Sequence, residues 1–413
     1  MPFLLIIVGV ISPLHAQQSI KNSKQDPNNN KPEKGKLYFT GTPFVSSNPS
    51  YGLIFGVSGA FNMYLGEPAD TRISSALASI MITSKKQLLI TYKSSLLLPK
   101  DKWVLLGDWR YFVTSQPTFG LGTGPQSSKL ASNGFEYSPG FFSKPISDEQ
   151  LLTFKYIRIH ETALTKVKKD VYLGIGYHLD YHFDINDNLL NTDTLPPVLT
   201  SHYTYSKKYG FDPGKYSLSG ISLNFLYDSR DNQVNPYAGQ YILARYRINP
   251  KFLGSTVSSS SLWLEYRNFV KLTKKPQPSH MLALWLYGDF EVSGHIPYMD
   301  LPALGWDQFG RSGRGYTQGR FRGQQLIYGE LEYRVHLFGI KNNKDLVGAV
   351  VFVNGTSATN KDAGIKMFKY VEPGYGVGLR IMVNKKTRSD VTIDYAIGRY
   401  GSKGLYFNIN ETF

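Results

Sequence analysis

The densest chemistry in the chain lies between Phe309 and Gln324, where Arg311, Arg314, Arg320 and Arg322 are interspersed with five glycines and no aliphatic residue. Such a stretch cannot form a core; it must be a loop whose guanidinium forks meet carboxylates, phosphates or water. A second constellation, His178, Asp180, His182 and Asp184, sets imidazoles and carboxylates at alternate positions. That is metal-ligand chemistry, but same-side residues on a strand lie about 7 Å apart, too far for four to reach one ion. A polar wall is the expected reading, with no metal or cofactor. Catalysis is not expected either: no Gly-x-Ser-x-Gly elbow is present, and His160 and His178 have no matching nucleophile. No helix follows Gly120–Gly124, so that run reads as a β-turn and not a phosphate loop. Asp228, Arg230 and Asp231, with Pro236 and Gly239 nearby, read as a structural turn with internal ion pairs.

The elements that position these groups are strands. After Gln324 the chain alternates strictly, with Ile327, Leu331, Val335 and Leu337 on one face and Glu330, Glu332, Arg334 and His336 on the other. Such a strand divides an apolar medium from a wet one. The same pattern recurs in about sixteen segments of roughly ten residues from Leu37 to Phe413, with no convincing helical period. In the last of them Leu405, Phe407, Ile409 and Phe413 share a side against Tyr406, Asn408 and Asn410; before it, Val391, Ile393, Tyr395 and Ile397 oppose Thr392, Asp394 and Ala396. Connections alternate in length. Long ones fall near 116–149, 186–215 and 293–324, while Lys85-Lys86, Pro99-Lys100-Asp101 and Lys385-Lys386-Thr387 read as short periplasmic turns. The fold expected is all-β, a transmembrane antiparallel barrel of about sixteen strands in a bacterial outer membrane.

Bulk composition agrees. The 413 residues are 41% hydrophobic and 14% aromatic, with 29 Tyr, 24 Phe and no Cys. Absence of Cys excludes a disulfide scaffold and thiolate metal sites. A net charge of +15 invites a nucleic-acid reading, but the charges are spread along the whole chain without a basic tail. No nucleic-acid partner is expected, and anionic lipid headgroups account for the charge equally well. Residues 1–16 read as a secretory signal: the apolar run Phe3–Ile11 is followed by Pro13 and a cleavage-like Leu14-His15-Ala16, although the positive n-region is missing and the start codon is left open. A buried N-terminal strand is the competing reading. Residues 17–36 read as a disordered periplasmic linker, leaving 37–413 for the barrel.

Four motifs in order resemble the BamA/TamA superfamily of outer-membrane assembly and translocation barrels, the bacterial surface antigen family. They are Arg314-Gly315-Tyr316 with Gly319-Arg320-Phe321-Arg322 and Glu332-Tyr333-Arg334; Asp228-Ser229-Arg230-Asp231 with Pro236; Tyr375-Gly376-Val377-Gly378-Leu379-Arg380; and Asp394-Tyr395-Ala396 with the terminal Phe413 as barrel-closing signal. The resemblance implies a long extracellular loop folded into the lumen, with Arg314 paired to inward carboxylates. Glu332 is the first partner it implies. The second stands at Asn354, a neutral amide where the family has an Asp, so Asp394 is a further candidate. Residue 313, an aliphatic in the family, is Gly313.

The family's assembly members carry periplasmic POTRA modules, whereas about twenty residues separate Ala16 from Leu37, too few for a folded domain. The function implied is insertion or translocation of outer-membrane or secreted proteins, with separate periplasmic or lipoprotein assembly partners and with outer-membrane lipid and lipopolysaccharide around the barrel. A plugged pore or surface adhesin is the alternative. Gly41 and Pro43 in the first strand either weaken its pairing with the last strand or simply end it.

Overall fold

The computed structural model describes residues 33–48, 51–125, 134–146, 149–274, 280–340, 343–385, 387–411 and 413. The expected signal and all of the linker before Glu33 lie outside them. The first five strands are β1 (Tyr38–Asn48), β2 (Gly52–Met63), β3 (Ser74–Thr83), β4 (Leu88–Leu97) and β5 (Trp103–Thr118). A small hairpin, β6 (Glu136–Ser138) and β7 (Phe141–Phe142), interrupts them. The series resumes with β8 (Gln150–Lys168), β9 (Val171–Asp187), β10 (Tyr216–Asp228), β11 (Gly239–Asn249), β12 (Ser259–Lys271) and β13 (His280–Ser293). It ends with β14 (Gln325–Ile340), β15 (Asn343–Ala358), β16 (Glu372–Asn384), β17 (Ser389–Gly398) and β18 (Lys403–Ile409).

Apart from the β6–β7 hairpin, every strand pairs antiparallel with the next, giving one sixteen-stranded sheet in sequence order. The edge strands β1 and β18 approach one another, and no ladder joins them among the described residues. Alternation decides the faces. Outward positions carry Ile175, Ile221, Leu223, Val351 and Val377, all more than half exposed. A continuous apolar surface of this kind is stable only against lipid. Inward positions carry buried His178, Asp180, Glu265, Glu330, Glu332 and Asp394.

Four expectations change. Strand parity places Lys85-Lys86, between β3 and β4, on the rim of the long loops, opposite the Pro99–Asp101 turn. A helix, α1 (Ser201–Tyr209), stands inside a long loop. Its sequence has no apolar period; it forms because the Thr200 side chain accepts from the Tyr203 amide and Gly210, at φ 73°, closes the other end. Pro43 does not end β1 but sits within it, opposite Val57 on β2. Finally, Phe413 does not share the lipid face of Leu405. The strand stops at Ile409, Asn410 turns at φ 67°, and the Phe413 ring is buried 5.2 Å from Trp285.

Ile175 is 68% exposed on the outer face while its neighbour but two, His178, is buried inside. Ile175→Lys is therefore expected to cost about 2–4 kcal/mol near the bilayer midplane. Urea unfolding of the barrel in lipid vesicles measures this; an unchanged midpoint would contradict the assigned lipid face.

Candidate functional site

The loop between β13 and β14 turns back into the barrel and is anchored by its arginines. Arg314 is 2% exposed. Its Nη2 donates to Glu330 Oε1 at 2.6 Å and to Glu332, and its Nη1 donates to Asp394 Oδ2 at 2.8 Å. The guanidinium also stacks on Phe352, 3.5 Å from the ring centroid. Burial opposes its charge, but Glu330, Glu332 and Asp394 overcome that cost and hold its pKa well above the ordinary value.

The carboxylates are shared with other cations. Arg334 donates to Glu332 at 2.6 Å, and Arg380 donates to Asp394 at 2.6 Å and to Glu411 at 2.9 Å. Strand geometry explains the convergence: Glu330, Glu332 and Arg334 are alternate residues of β14, while Arg380 of β16 lies diagonally from Asp394 of β17, whose register partner is Gly378. The result is a buried lattice of three guanidinium groups and four carboxylates.

The structure brings the residues singled out in sequence together, with different roles for some. Glu332 and Asp394 contact Arg314 directly. Asn354 does not accept from the guanidinium; its Nδ2 donates to the Arg314 carbonyl at 2.9 Å and to Glu330 at 3.3 Å. Glu330, one pleat further out on β14 than Glu332, provides the remaining charge. It was visible as part of an alternating acidic face, but nothing local marked it as a partner.

Gly315, at φ 103°, lies so close to β17 that a Cβ would meet the Ile397 carbonyl at 2.9 Å. Its amide donates to the Tyr406 hydroxyl of β18. The Tyr316 hydroxyl donates to the Pro373 carbonyl at 2.5 Å and accepts from the Arg399 amide. Gly319, at φ 76°, packs against Gln116 of β5, and the Arg320 guanidinium lies 3.9 Å over Phe119. Arg311 and Arg322 act on carbonyls. Arg311 donates to those of Ile409, Asn410 and Glu411, and Arg322 to those of Tyr298 and Met299.

Of the four histidine and aspartate residues, three point inward without converging. Asp180 accepts from Tyr156, Arg158, Arg247 and His160, whereas His178 bonds Ser222 and His182 stacks on Tyr156. Asp184 has left the face, pairing with Lys155 on the surface. The Asp228 turn contains its ion pair, Arg230 to Asp228 at 2.9 Å. It also reaches across the barrel: Asn235 donates to Asp390 on β17, and Arg388 pairs with Asp231 at 2.8 Å.

The Omp85 superfamily domain matches residues 126–413. The chain belongs to the Omp85 superfamily. It is an integral outer-membrane barrel, and its structural neighbours are of the same kind. BamA from Haemophilus ducreyi lacking POTRA domains 1–3 is 14% identical, with a TM-score of 0.54 over 91% of this chain and 69% of that one. CdiB from Acinetobacter baumannii is 13% identical, with a TM-score of 0.53 over 91% of this chain and 59% of that one. CdiB from Escherichia coli is 10% identical, with a TM-score of 0.53 over 90% of this chain and 62% of that one. The Omp85 barrel described here thus spans less than two thirds of either CdiB chain. No curated protein sequence matches it.

Arg314→Ala would leave the buried Glu330 carboxylate without its cation and is expected to cost about 3–5 kcal/mol. Glu330 has Arg314 as its ion-pair partner, so adding Glu330→Gln to that variant should recover part of the loss. Denaturant titrations of the three proteins in detergent decide this; an additive second loss would contradict the charge balance.

Proposed function

We propose that this Omp85 barrel inserts or translocates other outer-membrane or secreted polypeptides, and that it works at the junction of β1 and β18. One observation carries the reading: these edge strands lie side by side with no ladder between them among the described residues. An edge strand without a ladder on that side offers backbone donors and acceptors to an incoming strand, which adds by β-augmentation. Pro43, inside β1, removes a donor from that edge strand.

The Arg314 lattice has a positioning role in this proposal. Glu332 and Asp394 hold the loop in the lumen, Asn354 fixes the Arg314 backbone, and Gly315 and Tyr316 tie the loop to β16, β17 and β18. Periplasmic modules, whether on the same polypeptide or separate, would deliver clients to the opposite mouth. The loop packing disfavours a simple open pore, since residues 310–324 occupy the space an ion path needs.

The test is reconstitution into lipid vesicles with a urea-unfolded eight-stranded barrel as client. The reading predicts client folding severalfold faster than in empty vesicles, and slower again with Pro43→Val, which restores the missing donor. Conductance that rises in Arg314→Ala, without any acceleration of client folding by the wild type, would establish a plugged pore instead.

A further inference from the structure

The rim opposite the long loops has an uneven distribution of charge. Seven turns close it, and lysine occurs in five of them. The two without lysine, 64–73 and 229–238, have internal work: Arg72 of the first pairs with Asp101 and Asp228, and the second spans to Asp390 and Arg388. Lysine is thus absent from those two turns, while Asp101 and Arg388 of lysine-bearing turns supply their partners.

Among the described residues these ammonium groups are free of carboxylates. Lys100 and Lys102, Lys168 and Lys169, Lys274 and Lys385 are exposed, and none forms an ion pair among the described residues. Three acidic groups of the rim are already engaged, Asp101 by Arg72, Asp231 by Arg388 and Glu67 by Lys34. Four of the lysine turns also have an outward apolar side chain beside them. Trp103 is 39% exposed, Val167 54%, Leu272 51% and Val383 47%. An apolar side chain that ends in the hydrocarbon, followed by an ammonium one or two residues further out, matches the depth profile of a lipid leaflet.

We infer that this lysine ring binds anionic phospholipid headgroups of the periplasm-facing leaflet. The phosphodiester would take the ammonium, and the acyl chains would lie along the apolar residue beneath it. The lysines are spread over turns from β4–β5 round to β16–β17. An acidic protein partner would need one patch, whereas a leaflet surrounds the whole barrel, so distribution favours lipid. Each lysine near an anionic surface is worth about fivefold in affinity.

The test is the lipid composition retained by the purified protein from nanodiscs of equal phosphatidylglycerol and phosphatidylethanolamine, read by native mass spectrometry. Wild type should retain phosphatidylglycerol preferentially, with the preference falling as salt rises. A variant carrying K100Q, K102Q, K168Q and K169Q should lose most of it. The corresponding lysine-to-arginine variant should keep it, and so should K85Q, K86Q, K366Q and K369Q, which removes the same charge from the other rim. All are first checked for the heat-modifiable mobility of a folded barrel. Equal retention of both lipids by wild type would overturn the inference, as would loss of the preference in both glutamine variants. Absence of lipid preference together with capture of an acidic periplasmic protein would assign the ring to that partner and also overturn it.

Discussion

A guanidinium buried inside a barrel has nowhere to leave its charge except on the wall. Arg314 is in that position, and Glu330, Glu332 and Asp394 converge on it from β14 and β17. Desolvating one such group costs several kcal/mol, which only close carboxylates and good hydrogen-bond geometry offset. Once the contact exists it constrains much else. The loop must enter the lumen, residue 315 must have no side chain, and the strands bearing the carboxylates must keep their register, since a slip of one residue would turn the acids toward lipid.

The same loop steadies the weakest part of the sheet. Among the described residues β18 has a single ladder partner, β17. Arg311 takes the carbonyls of Ile409, Asn410 and Glu411, Arg380 takes the Glu411 carboxylate, and Tyr406 of β18 bonds Gly315. Phe413 then packs inside against Trp285 and Phe269. Loop position and edge-strand order are thus one mechanical unit, which couples the lattice to the junction where the proposed activity takes place.

Much of this was legible in the sequence, because a barrel strand writes its two environments at period two. The main sheet has sixteen strands, the number the alternation implies, and Glu332 and Asp394 were recognisable from an acidic residue on an inward face. What failed to show depends on contacts far apart in sequence. Glu330 takes the partner role expected of Asn354 because the loop backbone passes beside Asn354, and no local pattern records that path. The helix at 201–209 rests on a cap at each end and on tertiary packing of Tyr205 against Tyr298, not on an apolar stripe. Phe413 leaves the alternation because one residue, Asn410, adopts a left-handed backbone. The sidedness of Lys85-Lys86 follows from strand parity, which the length of a turn does not encode.

The most direct test of the account is amide hydrogen exchange across residues 310–324 in the wild type and in Arg314→Ala. A loop fixed in the lumen by its buried charge lattice should exchange slowly in the wild type, at rates close to those of the β13 and β14 strands. In the variant it should exchange fast while most of the barrel stays protected. Fast exchange in the wild type, or equal protection in both proteins, would contradict the claim that Arg314 holds the loop in place.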